Sequence, residues 1–153
     1  MKRQYDKNFL VNETLCSECK HVCCERCGCS YFPEDFEFDM SFENLKSEID
    51  KGFISIGAMY GTETPTLKLL KKPIYYLRVR NVNEDSPIEN KNGICKRLVD
   101  HRCFFPLEAR PSGGKYYIPF KRGCYTLYTD KEFIDLWAPY QNVLMLLLKH
   151  YKN

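Results

Sequence analysis

The feature that most constrains this chain is a group of six cysteines within fourteen residues, beginning at Cys16 and ending at Cys29. The other members of the group are Cys19, Cys23, Cys24 and Cys27. Zinc takes four ligands in structural sites, so a single mononuclear site cannot use all six thiols. The spacing therefore predicts a metal cluster, or two metal sites, on which the fold depends.

The cysteine count also bears on the compartment. The charged N-terminus is followed by only three apolar residues, Phe9 to Val11, which is too short for the apolar region of a signal peptide. Because the cytosol keeps thiols reduced, metal binding is a better explanation of nine cysteines than a disulfide framework. We therefore expect a cytoplasmic protein. The longest apolar run has six residues, Val143 to Leu148, so no membrane partner is expected.

Three more cysteines lie in the second half of the chain: Cys95, Cys103 and Cys124. We expect them to close the metal site from the far side, so that metal ties the N-terminal segment to the body of the protein. For Cys124 taken alone, burial as a small apolar side chain is the competing interpretation.

The residues offer little support for catalysis. The histidines are His21 and His101, which could serve as further metal ligands, and His150, which we expect to be solvated. A cysteine nucleophile needs an imidazole to activate it, and nothing distinguishes one of the nine thiols for that role. The stretch Ser112 to Lys115 is glycine-rich but lacks the spacing of a phosphate-binding loop. The sequence favours a protein without catalysis of its own.

The remaining pattern predicts an α+β fold with a small antiparallel sheet. Ser41 and the apolar spacing after it predict a helix over 42–51. Strand-like alternation occupies 52–61 and the second half of 67–82, followed by a surface loop from Asn83 to Gly93. In Tyr75 to Arg80 the period of two predicts one core face and one polar face.

The C-terminal region should be helical and bent. Thr129 to Glu132 has the pattern of a capping box, and apolar residues recur with helical spacing behind it. Pro139 should kink the helix, or divide it in two, near Ala138. Trp137 and Tyr140 are predicted core residues. The result is a single domain with a cysteine-rich knot at 14–36, a body at 37–128 and a helical region at 129–151.

Several of these residues resemble a known family. The spacing Cys16-x-x-Cys19-x-x-x-Cys23-Cys24 and the later Gly28-Cys29 and Pro33 to Phe36 are similar to the YkgJ-type zinc- or iron-chelating domain. The second half is similar as well, and the likeness covers roughly 14–145. Its parts there are Gly93 to Leu98 with Cys103, Glu108 to Pro111, Cys124, and the segment Trp137 to Gln141, which resembles a pattern common among bacterial members.

The resemblance implies metal ligation by the cysteines, with one departure. Where the family pattern has a cysteine shortly after its Arg-Pro pair, this chain has Gly114. We hypothesise that Cys27, which lies outside the pattern, replaces that ligand or that one metal position is altered. Undiminished metal content in Cys27→Ser would contradict this hypothesis.

Zinc is the favoured cofactor, and an iron–sulfur cluster is the alternative. Zinc is redox-silent and would make the protein a structural or interaction module, whose partner would be another protein. A cluster would indicate a role in or beside a redox or protein-modifying enzyme, and the cysteine region also resembles that of flagellin lysine methylases.

A weaker alternative is a module that binds a small anion or nucleic acid, with a structural metal. Its basic and aromatic candidates are Tyr76, Arg78, Arg80, Arg97, Arg102, Arg110 and Lys115. The competing interpretation is a solvated sheet face, because the net charge is only +3 and acidic residues are scattered among the basic ones.

Overall fold

A computed structural model describes seven parts of the chain: residues 28–59, 72–99, 102–103, 109–115, 117–120, 123–126 and 129–153. Most of the predicted knot, 14–27, lies outside these residues.

The described residues form a mixed helix and sheet structure, as the α+β prediction required. The helices are α1 (Phe42–Glu48), the one-turn α2 (Ser112–Lys115), α3 (Asp130–Trp137) and α4 (Gln141–Lys152). The strands are β1 (Ile54–Met59), β2 (Ile74–Val79), β3 (Leu98–Val99), β4 (Arg102–Cys103), β5 (Tyr117–Phe120) and β6 (Gly123–Thr126). They pair in antiparallel fashion as β1–β2, β3–β4 and β5–β6.

The core lies on the β1–β2 pair, whose register sets Ile54 opposite Val79 and Met59 opposite Ile74. Helices α3 and α4 pack against β2, and α4 also contacts α1. Their buried apolar side chains meet those of the sheet; the main members are Leu45, Ile49, Ile54, Ile56, Leu77, Phe133, Trp137, Leu144 and Leu147. Burial of these side chains supplies the main driving force for this arrangement.

The first helix begins where the sequence predicts. The hydroxyl oxygen of Ser41 accepts a hydrogen bond from the backbone N–H of Asn44 (3.3 Å), which caps α1. The chain then continues through a wider π-type turn, Ile49–Phe53, in which Gly52 has a φ of 95°. That conformation favours glycine, so Gly52 ends the helical segment and turns the chain into β1.

The C-terminal region is two helices, as Pro139 predicts. A 3-10 turn, Ala138–Tyr140, separates α3 from α4. Trp137 is fully buried, which confirms its predicted place in the core. Tyr140 is half-buried and packs against the core from its edge, with its ring 6.5 Å from that of Trp137, so its predicted place inside the core is wrong.

The polar face predicted for β2 is not a solvated surface. Arg78 and Arg80 are only 4% and 8% exposed, and the loop after β2 folds back over Arg78. Glu84 of that loop pairs with Arg78 and is itself buried. Arg80 donates to the hydroxyl of Ser55 (3.2 Å) and to the carbonyl oxygen of Ile54 (2.8 Å). The predicted surface loop therefore contributes to the interior.

Within the described residues, no helix is both long enough and apolar enough to cross a membrane.

Candidate metal centre

One edge of β2 pairs with β1, and the segment that carries Cys29 pairs with the other. Val79 donates its N–H to the carbonyl oxygen of Cys29 (2.9 Å), and Tyr31 donates to that of Leu77 (2.8 Å). This antiparallel pairing, which forms a bridge between Ser30 and Arg78, sets Cys29 opposite Val79. The last cysteine of the N-terminal group is thus fixed against the central sheet.

The segment around Cys95 lies along the continuation of β2. Cys95 forms an antiparallel bridge with Asn81, flanked by a hydrogen bond from the N–H of Lys96 to the carbonyl oxygen of Arg80 (2.9 Å). Directly opposed residues on antiparallel chains project to the same face, and so do residues two apart on one strand. Because Val79 and Asn81 are two residues apart, the register brings Cys29 and Cys95 to one face. Cys95 is 3% exposed and Cys29 is half-buried.

Gly28 and Asn81 fix the chain where it enters this segment. The N–H of Gly28 donates to Oδ1 of Asn81 (2.9 Å), and Nδ2 of Asn81 donates to the carbonyl oxygen of Lys91 (2.6 Å). A Cβ atom on residue 28 would collide with the carbonyl oxygen of Val79, so only glycine allows this approach. The position of Cys29 is therefore determined by contacts on both sides.

The turn after Arg110-Pro111 packs against the same segment. The carboxylate of Asp35 accepts hydrogen bonds from the N–H (2.8 Å) and the hydroxyl (2.6 Å) of Ser112. The N–H of Gly113 donates to the carbonyl oxygen of Ser30 (2.9 Å). A Cβ atom on Gly114 would lie 3.0 Å from Sγ of Cys29. The position at which the resembled family has a cysteine is therefore in contact with Cys29 in this fold.

Tyr31 lies among the charged and thiol groups of this region. Burial raises the pKa of its hydroxyl well above the usual value, and the negative charge that Cys29 can carry raises it further. The positive charge of Arg97, whose guanidinium stacks 3.6 Å from the ring centre of Phe53, acts in the opposite direction. Tyr31 is therefore neutral at physiological pH and available as a hydrogen-bond donor.

The C-terminal helices hold this edge in place. Nε1 of Trp137 donates to the carbonyl oxygen of Tyr31 (3.2 Å). The amide of Gln141 pairs with both backbone groups of Tyr75, at 2.9 Å in each case. Trp137 and Gln141 thus join the segment of Cys29 and the start of β2 to the helices.

The other predicted ligands are only partly described. Cys103 lies in β4 with Leu98 as its backbone partner, and Cys124 lies in β6 opposite Pro119. His150 is exposed on α4, as expected, with its ring 5.8 Å from that of Phe42. Outside the described residues lie Cys16, Cys19, Cys23, Cys24, Cys27, His21 and His101. Among the side chains that the structure describes, no three Cys, His, Asp or Glu residues gather as a metal site.

Four of the residues proposed for anion binding have side chains engaged in contacts within the protein. Arg78 and Arg80 make internal hydrogen bonds, and the ring of Tyr76 packs 5.1 Å from that of Phe133. Arg97 covers Phe53. The side chains of Arg102 and Lys115 are outside the described part.

Sequence reasoning missed the residues that position the two cysteines. Asn81 and Gln141 carry no charge and no motif that would distinguish them from surface amides. Asp35 and Ser112 lie in segments that the resemblance highlights, yet their hydrogen bond spans 77 positions of sequence and no local pattern encodes it.

Comparison with known proteins identified no relative of this chain. No protein-family model matches the chain, and neither the curated proteins nor the solved structures include a match.

Proposed function

We propose that this protein is a cysteine-cluster metal-binding module, with zinc as its metal and a structural or interaction role. The observation that carries the proposal is the placement of Cys29 and Cys95 on one face of the sheet, on either side of β2. Cys29 ends a group of six cysteines, so ligands from both halves of the chain would meet there.

The donor set fits a thiophilic metal. Thiolates bind zinc and iron–sulfur clusters strongly, and backbone pairing holds two of the thiols on one face of the sheet before metal arrives. Cys103 and Cys124, together with the cysteines from Cys16 to Cys27, would supply the remaining ligands. The burial of Arg78 and Arg80 favours this function over anion binding, because it removes two of the cations from the proposed binding face.

Metal content tests the proposal directly. We would purify the full chain without oxygen and measure zinc, iron and acid-labile sulfide per chain together with the visible spectrum. Zinc with a featureless visible spectrum is the expected result. Iron with sulfide and absorption at about 400 nm is typical of clusters with thiolate ligands. That result would replace zinc by the iron–sulfur alternative. Protein without either metal would overturn the proposal.

Variants test whether the two described cysteines are ligands. Cys29→Ser and Cys95→Ser should each lower the metal content or weaken metal retention against a chelator. Ser47→Ala, on the exposed side of α1, is the control and should retain wild-type metal content. Unchanged retention in both cysteine variants would remove Cys29 and Cys95 from the ligand set.

A further inference from the structure

An exposed aromatic side chain projects from the turn that follows Tyr31. Phe38 is 68% exposed. Both Phe38 (φ 58°) and Glu37 (φ 52°) adopt left-handed backbone conformations, which are unfavourable for non-glycine residues. The fold therefore maintains an unfavourable backbone geometry to hold a phenylalanine in solvent.

Hydrogen bonds make this turn rigid. Phe38 and Glu37 donate their N–H groups to the carbonyl oxygens of Pro33 (3.3 Å) and Glu34 (3.1 Å), the pattern of a Schellman cap. In that motif the residue at the position of Phe38 commonly packs back on the helix. Asp35 fixes the start of the turn by accepting from the N–H of Phe32 (2.8 Å). A rigid, exposed aromatic residue loses little conformational entropy on binding and is typical of interface anchors.

Acidic residues surround Phe38. Residues 33–45 contain five acids and no Lys or Arg. The remainder of the chain, with all 23 Lys and Arg and 15 of the 20 acids, therefore has a formal charge of +8. The exposed acids are Glu34, Glu37, Asp39 and Glu43. The surface that complements an acidic, aromatic patch is basic with an apolar centre, and this chain carries one.

That second patch lies beyond the other end of β2. Val82 and Ile94 are 57% and 45% exposed, and the N–H of Val82 donates to the carbonyl oxygen of Ile94 (2.8 Å). This register sets their side chains side by side on one face. Lys91 and Lys96 are exposed on either side of Ile94.

Beside this second patch, Lys91, Lys96 and Arg97 face two acids, Asp85 and Glu89, since Glu84 is paired with Arg78 inside the protein. Lys91 is paired with Glu89 (3.3 Å). Lys96 instead donates to the neutral carbonyl oxygen of Gly52 (3.0 Å), a contact that does not compensate its charge. The segment Cys29 to Tyr31 runs antiparallel to β2, so the chain that follows it continues towards the N-terminal end of β2, near Ile74. Val82 and Ile94 pair beyond the C-terminal end of β2. Because the two patches lie towards opposite ends of β2, a contact between them would join two molecules.

We propose that a second copy of this chain is the partner, with the Phe38 turn of one copy binding the Val82–Ile94 patch of the other. The contact is small, so it is weak and concentration-dependent. It joins different surfaces on the two copies, and opposite charges at its rim make it sensitive to salt.

Sedimentation analysis of the full chain as purified tests the proposal, with a reductant present to prevent disulfide-linked oligomers. The average mass of the wild type should rise with protein concentration and fall with salt. Phe38→Ala should weaken association roughly tenfold or more, as expected for the loss of an aromatic anchor. Leu146→Ala, which removes an exposed apolar side chain from α4, is the control and should associate like the wild type.

A mixing experiment identifies the two surfaces. At a concentration at which the wild type associates, Phe38→Ala alone and Val82→Ser/Ile94→Ser alone should each be mainly monomeric, because each lacks one of the two patches. Their mixture should form a dimer, because each variant retains the patch that the other has lost. A wild type that stays monomeric up to about 1 mM, or a mixture that remains monomeric, would overturn the proposal. This outcome is independent of the metal content that tests the proposed function.

Discussion

At the scale of single residues, Arg78 and Glu84 form a two-point ion pair inside the protein. Nη1 and Nη2 of Arg78 donate to the two carboxylate oxygens of Glu84, at 2.7 and 2.5 Å. The side chains are 5% and 0% exposed. Removing one partner of a buried pair leaves the other charge uncompensated, which costs about 3–5 kcal/mol. The pair therefore determines whether the loop can close over β2.

We expect Glu84→Gln to lower the free energy of unfolding by about 3 kcal/mol or more, measured by urea denaturation of the metal-loaded protein. Glu89→Gln is the matched control, because this carboxylate lies in the same loop and pairs with Lys91 at the surface. It should change stability little. Equal losses in the two variants would show that burial of the Arg78–Glu84 pair does not matter.

The Arg78–Glu84 pair should make the stability of the protein depend on pH. Burial raises the pKa of Glu84, but hydrogen bonds from Arg78 and from the N–H of Asn81 outweigh it and hold the pKa below its usual 4.5. A lowered native pKa stabilises the fold above pH 4.5, and that contribution is lost as the pH falls towards the native pKa. The stability difference between wild type and Glu84→Gln should therefore shrink in acid. A difference that stays constant from neutral to acid pH would contradict this assignment.

At the scale of elements, the caps are the clearest local determinants. The hydroxyl of Thr129 accepts from the N–H of Glu132 (3.2 Å), and the carboxylate of Glu132 accepts from the N–H of Thr129 (2.8 Å). These reciprocal bonds satisfy two donors at the start of α3. Thr129→Ala should lower the free energy of unfolding by about 1 kcal/mol, measured by thermal and urea unfolding. Ser47→Ala, which removes a hydroxyl without a cap, should show no such loss.

The elements also show what the sequence can predict. Ser41, Thr129 and Pro139 act on their own neighbours, so the starts of α1 and α3 and the break before α4 follow from local pattern. The burial of Arg78 does not, because it depends on a loop that returns over the strand and brings Glu84 with it. Period-two alternation reports which residues share a face, and says nothing of what later covers that face.

For the candidate site, too, one part follows from the sequence and another part only from the fold. Cysteine density and spacing predict thiolate ligation without any structure, because few alternatives explain six thiols in fourteen residues. The pairing of Cys29 with Val79 and of Cys95 with Asn81 could not be predicted, because the spacing of residues in the sequence does not indicate which distant segments pair. The contact between Gly114 and the thiol of Cys29 is likewise visible only in the fold, because it joins positions far apart in the sequence.

At the scale of the whole molecule, backbone hydrogen bonds join three distant parts of the chain near β2. The segment of Cys29, the segment of Cys95 and the turn at Gly113 come from 28–31, 94–96 and 111–114. Under the proposed function, a metal bound by Cys29, Cys95 and the thiols of the N-terminal group would cross-link the first two of these parts. The third part has no cysteine and is joined to them by hydrogen bonds. Binding energy that is available only in the folded chain adds to the folding free energy.

Metal removal should therefore destabilise the protein as a whole. We expect chelator-treated protein to unfold at a lower urea concentration than metal-loaded protein, and the addition of metal to restore the wild-type curve. Cys95→Ser should respond less to metal than the wild type, because its backbone pairing with Asn81 can persist while the thiol is lost. Ser47→Ala should respond fully. If loaded and metal-free protein unfold identically, the contacts around β2 alone determine stability, and the metal, if bound, does not cross-link the parts of the chain.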